Sequence, residues 1–170
     1  MGLRHAGHPN PRVRARVPGL LLSWNTPRPS LSAAARAALL VLARDEDWGV
    51  RAEAGGALTA AHDGSSEFTD IIVGLLRDPV ADVRACTAEA VAHSTARTAA
   101  VADALLALLD EDDLGTRLNA AYGLLLRDDP RTGEAIERVG PLSLPGFEHD
   151  HRLHAFWTWK WDRRERSDAE

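Results

Sequence analysis

Cysteine is nearly missing from this chain: Cys86 is the only one in 170 residues, and a single thiol excludes an internal disulfide framework. It falls inside a predicted helix, where a buried, inert thiol is expected. Long apolar runs are missing too. No stretch approaches the ~18 residues of a transmembrane helix, and Leu20-Leu21-Leu22 is too short for the core of a signal peptide. A cytoplasmic protein is the expectation, without membrane association. The motifs of catalysis are missing as well: no Walker loop, no glycine-rich phosphate cradle, no HExxH, no paired cysteines, no Ser-His-Asp set that can be placed. No enzyme activity, no catalytic residue and no cofactor are therefore expected. Acids are missing from one end only. None precedes Asp45, whereas Arg4, Arg12, Arg14, Arg16, Arg28, Arg36 and Arg44 give that end seven positive charges. The remainder holds 13 bases against 25 acids, a balance of −12. Such an asymmetry suits a polar partner or a dipolar contact between copies.

What is present is a repeat. Val-Arg occurs at Val13-Arg14, Val50-Arg51 and Val83-Arg84, and Thr116-Arg117 is a fourth copy; the arginines are 37, 33 and 33 residues apart. Self-similarity at a period of 20–50 residues marks stacked repeats. In each copy the residue before the arginine and those three, six and seven after it share one helical face. The sets are Val13, Val17, Leu20, Leu21; Val50, Ala54, Ala57, Leu58; Val83, Thr87, Ala90, Val91; and Thr116, Ala120, Gly123, Leu124. This is the 3.6-residue period of helices rather than the alternation of strands.

Punctuation places the elements. Pro11 opens a helix carrying Val13, Val17 and Trp24, and Pro18 inside it, at a cost of about 3 kcal/mol, predicts a kink or an early end. The chain thus begins with half a unit. A turn at 26–30 follows, with Ser30 as cap of a helix over 31–43. Helices are predicted over 48–61, over 67–77, from Pro79 to about Ala92, over 97–109 starting at Ser94 or Thr95, over 114–127, and from Pro130 to about Val139. The acidic turn Asp110 to Asp113 favours the helix after it through the helix dipole. Gly55-Gly56 permits close helix approach, at about 1 kcal/mol of helix propensity each. Gly140 ends the pattern. Residues 140–146 read as a linker, and 147–170 as a tail with three of the five tryptophans, three of the seven histidines and the only lysine. Trp157, Trp159 and Trp161 alternate as in a strand, but the flanks have helical propensity and a lone strand has no partner, so a helix is expected.

Leu76-Arg77-Asp78-Pro79, Asp82-Val83-Arg84, Ala88 and Ala90-Val91, supported by 45–58 and 110–125, resemble the HEAT and HEAT-like (phycobilisome-lyase-type) repeats. The resemblance covers about residues 10–139. It implies an all-α fold: a right-handed α-solenoid of about four two-helix repeats, here with an irregular Trp-rich C-terminal cap. Residues 1–139 would form the solenoid, and 140–170 a linker and capping segment of the same compact domain. It also implies an Asp–Arg ladder between units, assigned to Asp47 with Arg51, Asp82 with Arg84 and Asp112 with Arg117; Asp45, Asp78 and Asp110 are the alternative acids. The tail lies outside the family pattern, and its tryptophans are expected to cover the last exposed helix pair.

Two further groups carry possible chemistry. His149, His151 and His154, with Asp150 or Glu148 adding an oxygen, are the only metal-like cluster, but a zinc site wants four converging ligands and none is expected to form. Arg14, Trp48, Trp157, Trp159 and Trp161 are candidates for contact with a partner, Trp48 being expected to stand partly exposed.

The expected function is a non-catalytic protein–protein interaction module, an adaptor or scaffold that uses the concave repeat face. An immunity protein that neutralises a basic toxin is one form of it, because acidic faces speed capture of basic partners. The alternative is a DNA-binding protein related to the HEAT-like alkylpurine DNA glycosylases; the acidic repeat region argues against nucleic acid. A bilin-lyase role rests on the repeat name alone.

Overall fold

The computed structural model describes residues 2–22, 31–94, 96–143, 146–147 and 149–167. Trp24, Ser30, the turn at 26–30, Thr95 and Glu148 lie outside them. Every regular element among the described residues is a helix, with no strand. A 3-10 turn, Gly2–His5, precedes α1 (Pro11–Arg14) and α2 (Val17–Leu21). Then come α3 (Ala33–Leu42), α4 (Trp48–Ala60), α5 (Ser66–Leu75), α6 (Ala81–Ala92) and α7 (Ala99–Ala107), which runs into a second 3-10 turn, Leu108–Asp110. The remainder is α8 (Leu114–Leu125), α9 (Thr132–Val139) and α10 (His151–Ser167). Among the described residues no helix is long and apolar enough to cross a membrane.

Local chemistry sets most helix starts. The side chains of Asn10, Ser32, Asp47, Ser65, Thr98 and Asp113 each accept a bond from a backbone N–H in the first turn of the helix that follows, satisfying donors a helix leaves open. Ser32 and Thr98 thus cap α3 and α7. Ser94 is not the cap of α7; its hydroxyl donates to the Val91 carbonyl and accepts from the Ala96 N–H. Gly140 ends α9 with φ 103°, a conformation open to glycine.

The helices form pairs, α3 with α4, α5 with α6 and α7 with α8, and the pairs stack. The second helices pack side by side in the order α4, α6, α8, α10, with α1 and α2 on the free side of α4. Among the first helices, α5 packs against α7, and α9 lies against α8 and the second 3-10 turn. The pattern is that of an α-solenoid, one core running from end to end. Val50, Ala54, Leu58, Val83, Val91, Leu118 and Leu124 line it from the second helices, and Leu39, Phe68, Ile72 and Leu105 from the first. Each large side chain buried is worth roughly 1.5–3 kcal/mol. Thr87 and Thr116 are buried as expected, whereas Ala90 is only half-buried.

Three expectations are corrected. Leu20 is not on the core face: the first helix breaks at Ala15-Arg16 ahead of Pro18, as the proline predicts, and Leu20 stands 66% exposed. Cys86 is exposed rather than buried, because it lies on the open side of α6. The tail is a helix, but its tryptophans are not the seal: Leu153 and Phe156 are buried, Trp159 packs half-buried over Gly133, and Trp157 and Trp161 stand 55% and 60% exposed. Only one side of a helix can face α8, and residues 153 and 156 occupy it.

Candidate functional site

Each repeat arginine fastens its own turn, and the first three also reach the next unit. Its Nη1 clasps two carbonyls of the turn before its own helix: His8 and Pro9 for Arg14, Asp45 and Glu46 for Arg51, Asp78 and Pro79 for Arg84, Glu111 and Asp112 for Arg117. Its Nε and Nη2 then form a fork toward the following unit. Arg14 donates both to Asp45 at 2.7 Å, Arg51 both to Asp78 at 2.8 and 2.9 Å, and Arg84 both to Glu111 at 2.8 and 2.7 Å. Paired N–H donors match a carboxylate bidentately, the stronger form of such bonds. Among the described residues no carboxylate meets the fork of Arg117.

This corrects the ladder assigned from the sequence. Asp47 caps α4, Asp82 stands exposed on α6, and Asp112 contributes only its carbonyl. The carboxylates are Asp45, Asp78 and Glu111, and each serves the arginine of the preceding unit. Their 33-residue spacing was a readable signal. Arg14, a candidate for partner contact, is instead the first rung and is 8% exposed. The Arg14 guanidinium holds the Asp45 carboxyl below the usual range. The acidic turn is consumed likewise: Asp110 pairs with Arg138 at 2.5 Å, and Asp113 caps α8.

A half-buried arginine with no carboxylate partner among the described residues escaped the sequence reading. Arg127 donates to the carbonyls of Val91, Ala96 and Gly123 and to the Ser94 hydroxyl, gathering the end of α6 and the loop after it. Burial, and then the nearby Arg97, push its pKa down to about 10. Nothing in its sequence context announces this; it depends on where α8 ends relative to α6.

The face of the second helices carries two features. At one end a groove of about 330 Å³ crosses α4, lined by Gly19, Leu22, Ala52, Glu53, Gly56, Ala57, Ala60 and Cys86. Partial desolvation, and then the charges of Glu89, Asp82 and Glu53, push the Cys86 thiol up. At the other end His93, Tyr122 and His151 pack ring against ring, with centroids 5.3–6.0 Å apart. His151 therefore joins α10 to α6 and α8 rather than turning toward His149 and His154, which stand exposed. Among the described residues no three His, Cys, Asp or Glu side chains converge as a metal ion would require. Trp48, the first residue of α4, is 48% exposed.

The comparisons agree with this geometry. The sequence model of the family described as HEAT repeats matches residues 3–92 and 35–125. No curated protein matches the chain. Stacked helix pairs, an arginine ladder between units and a family match over most of the length lead to one conclusion: the chain belongs to the HEAT-repeat family.

Proposed function

We propose that the protein is a non-catalytic adaptor that binds a basic, apolar segment of another protein in the groove across α4. The observation that carries this reading is the composition of that groove. Its floor is made of Ala52, Gly56, Ala57 and Ala60, which let an incoming chain approach the α4 backbone, and Leu22 forms an apolar wall. Its rim holds Glu53, and Asp82 and Glu89 share the exposed side of α6 with Cys86, at i, i+4, i+7 spacing. Apolar contact supplies affinity in such a site, and carboxylates select and steer a cationic partner.

The charged groups elsewhere on the face have structural work to do. Asp45, Asp78 and Glu111 are ladder carboxylates, and His62, whose pKa burial pushes down, contacts the Thr69 hydroxyl at 3.2 Å. The nucleic-acid reading has less support, because Asp45 holds Arg14, and Asp63 and Glu67 hold Arg36, so these parts of the basic end are not free for phosphate.

Affinity capture by the wild-type chain and by the Glu53→Lys/Glu89→Lys variant tests the proposal. The expected result is a basic partner retained by the wild type and released from the variant. Equal retention by both, or no partner above background, overturns it.

A further inference from the structure

The last helix carries a second surface that the groove does not use. On α10, Trp157, Lys160, Trp161 and Arg164 stand at the i, i+3, i+4, i+7 spacing that places them on one side of a helix, within an arc of roughly 100°. They form, with Leu142 of the preceding segment, a slot of about 190 Å³. Trp157 and Trp161 are more than half exposed there, and the Trp161 Nε1–H is tied to Glu165 at 2.8 Å, which orients that ring. Close by, Arg131, Arg138 and Arg152 each have a carboxylate partner. Lys160 and Arg164 meet none among the described residues. Two large aromatic faces beside two cations with no carboxylate partner among the described residues, around a hollow the size of one large side chain, form an incomplete contact.

We propose that this slot docks an acidic peptide segment of a partner protein, an apolar side chain entering between Leu142 and the two tryptophans while flanking carboxylates meet Lys160 and Arg164. Charge complementarity selects the occupant: the face offers cations and aromatic area, and a segment of Asp or Glu around a Leu or Phe supplies the opposite of each. A lipid surface fits less well, because the apolar element is a recess and not a continuous stripe. A nucleic-acid strand fits less well, because the slot holds two cations rather than a row of them and Arg163 is stacked on the Trp159 ring at 4.9 Å. The proposal does not depend on the groove across α4.

Selection of a displayed library of random 12-residue peptides on the full chain is the test. Binders are then measured by fluorescence anisotropy against Trp161→Ala, Lys160→Glu/Arg164→Glu and, as a control for the other site, Glu53→Lys/Glu89→Lys. The expected outcome is enrichment of acidic peptides with a central apolar residue. Their binding should fall at least tenfold in both α10 variants and stay within twofold in the control. No acidic enrichment, or enriched peptides that bind the α10 variants as well as the wild type, overturns the proposal. So does a 20-residue oligothymidylate, or vesicles of phosphatidylcholine with phosphatidylglycerol, that binds the wild type more tightly than any selected peptide and loses that binding in the α10 variants. The altered residues are exposed or half-buried, and a thermal melt of each variant matching the wild type excludes loss of fold as the cause.

Discussion

Arg51 and Asp78, 27 residues apart, are joined by two parallel N–H···O bonds of 2.8 and 2.9 Å, and both side chains are largely buried, at 14% and 7% exposure. The remaining donor group of Arg51, Nη1, is occupied by the carbonyls of Asp45 and Glu46. One guanidinium thus fastens its own turn and the next unit at once.

That geometry makes the pair cooperative. Arg51→Ala and Asp78→Ala should each lower unfolding stability by about 1–3 kcal/mol, since each leaves a partner buried and unpaired. The double variant should lose less than the sum, with a coupling of at least about 1 kcal/mol in urea titrations. Arg51→Lys should not restore stability, because an ammonium cannot form the fork. Additive losses would mean the two residues act separately.

Acid should weaken the protein in two stages. Burial holds the His62 pKa below its usual 6.5. The folded state therefore binds that proton less readily than the unfolded chain, and stability falls as pH drops through about 6.5. Asp45 is held low by Arg14; for Asp78 burial pushes upward, but Arg51 and the Val80 N–H outweigh it. A carboxyl lowered by folding stabilises fully above its unfolded pKa, about 3.9, and that contribution disappears as pH falls below it. Urea midpoints from pH 8 to 3 should show both stages. His62→Gln should remove the first and Asp78→Asn should reduce the second.

The adjacent glycines of α4 should answer oppositely to alanine. A Cβ on Gly55 would lie 2.9 Å from Thr87 Oγ1 of α6 and 3.1 Å from Leu75 Cδ1 of α5, so Gly55→Ala should destabilise. A Cβ on Gly56 meets nothing within 4 Å, so Gly56→Ala should gain about 0.5–1 kcal/mol from helix propensity. Melting temperatures of the two variants decide the point.

Thr87 is itself a site of unused stability. Its hydroxyl is buried and has no hydrogen-bond partner among the described residues. Thr87→Val keeps the shape and removes the unpaired group, and should raise stability by roughly 1 kcal/mol. An unchanged or lower denaturation midpoint would show that the hydroxyl is satisfied in solution.

Arg127→Leu should be among the costly substitutions. It would strip partners from the carbonyls of Val91, Ala96 and Gly123 together. A loss of about 2–3 kcal/mol is expected, and hydrogen exchange should quicken at the end of α6. A loss confined to the end of α8 would contradict the role given to this side chain.

Much of this was open to reading from the chain alone. The positions of Val50, Ala54 and Leu58 relative to Arg51, repeated 33 residues later, are a local regularity, and so is the stop at Gly140. Such features depend on residues within about one helical turn of each other, and sequence records that order directly. The family resemblance rests on the same features.

The partners of the arginines, the exposure of Cys86 and the choice among the three tryptophans were settled by the stacking of the helices. Arg51 has Asp45, Asp47 and Asp78 to choose from in sequence. It takes Asp78 because stacking brings the next turn to its fork, while its own turn offers backbone carbonyls to the other side. Trp157 and Trp159 are two residues apart, yet α8 covers the side of α10 that holds Leu153 and Phe156 and leaves Trp157 in solvent. A chain fixes which residues share a helix face; only the neighbouring helix decides which face is covered.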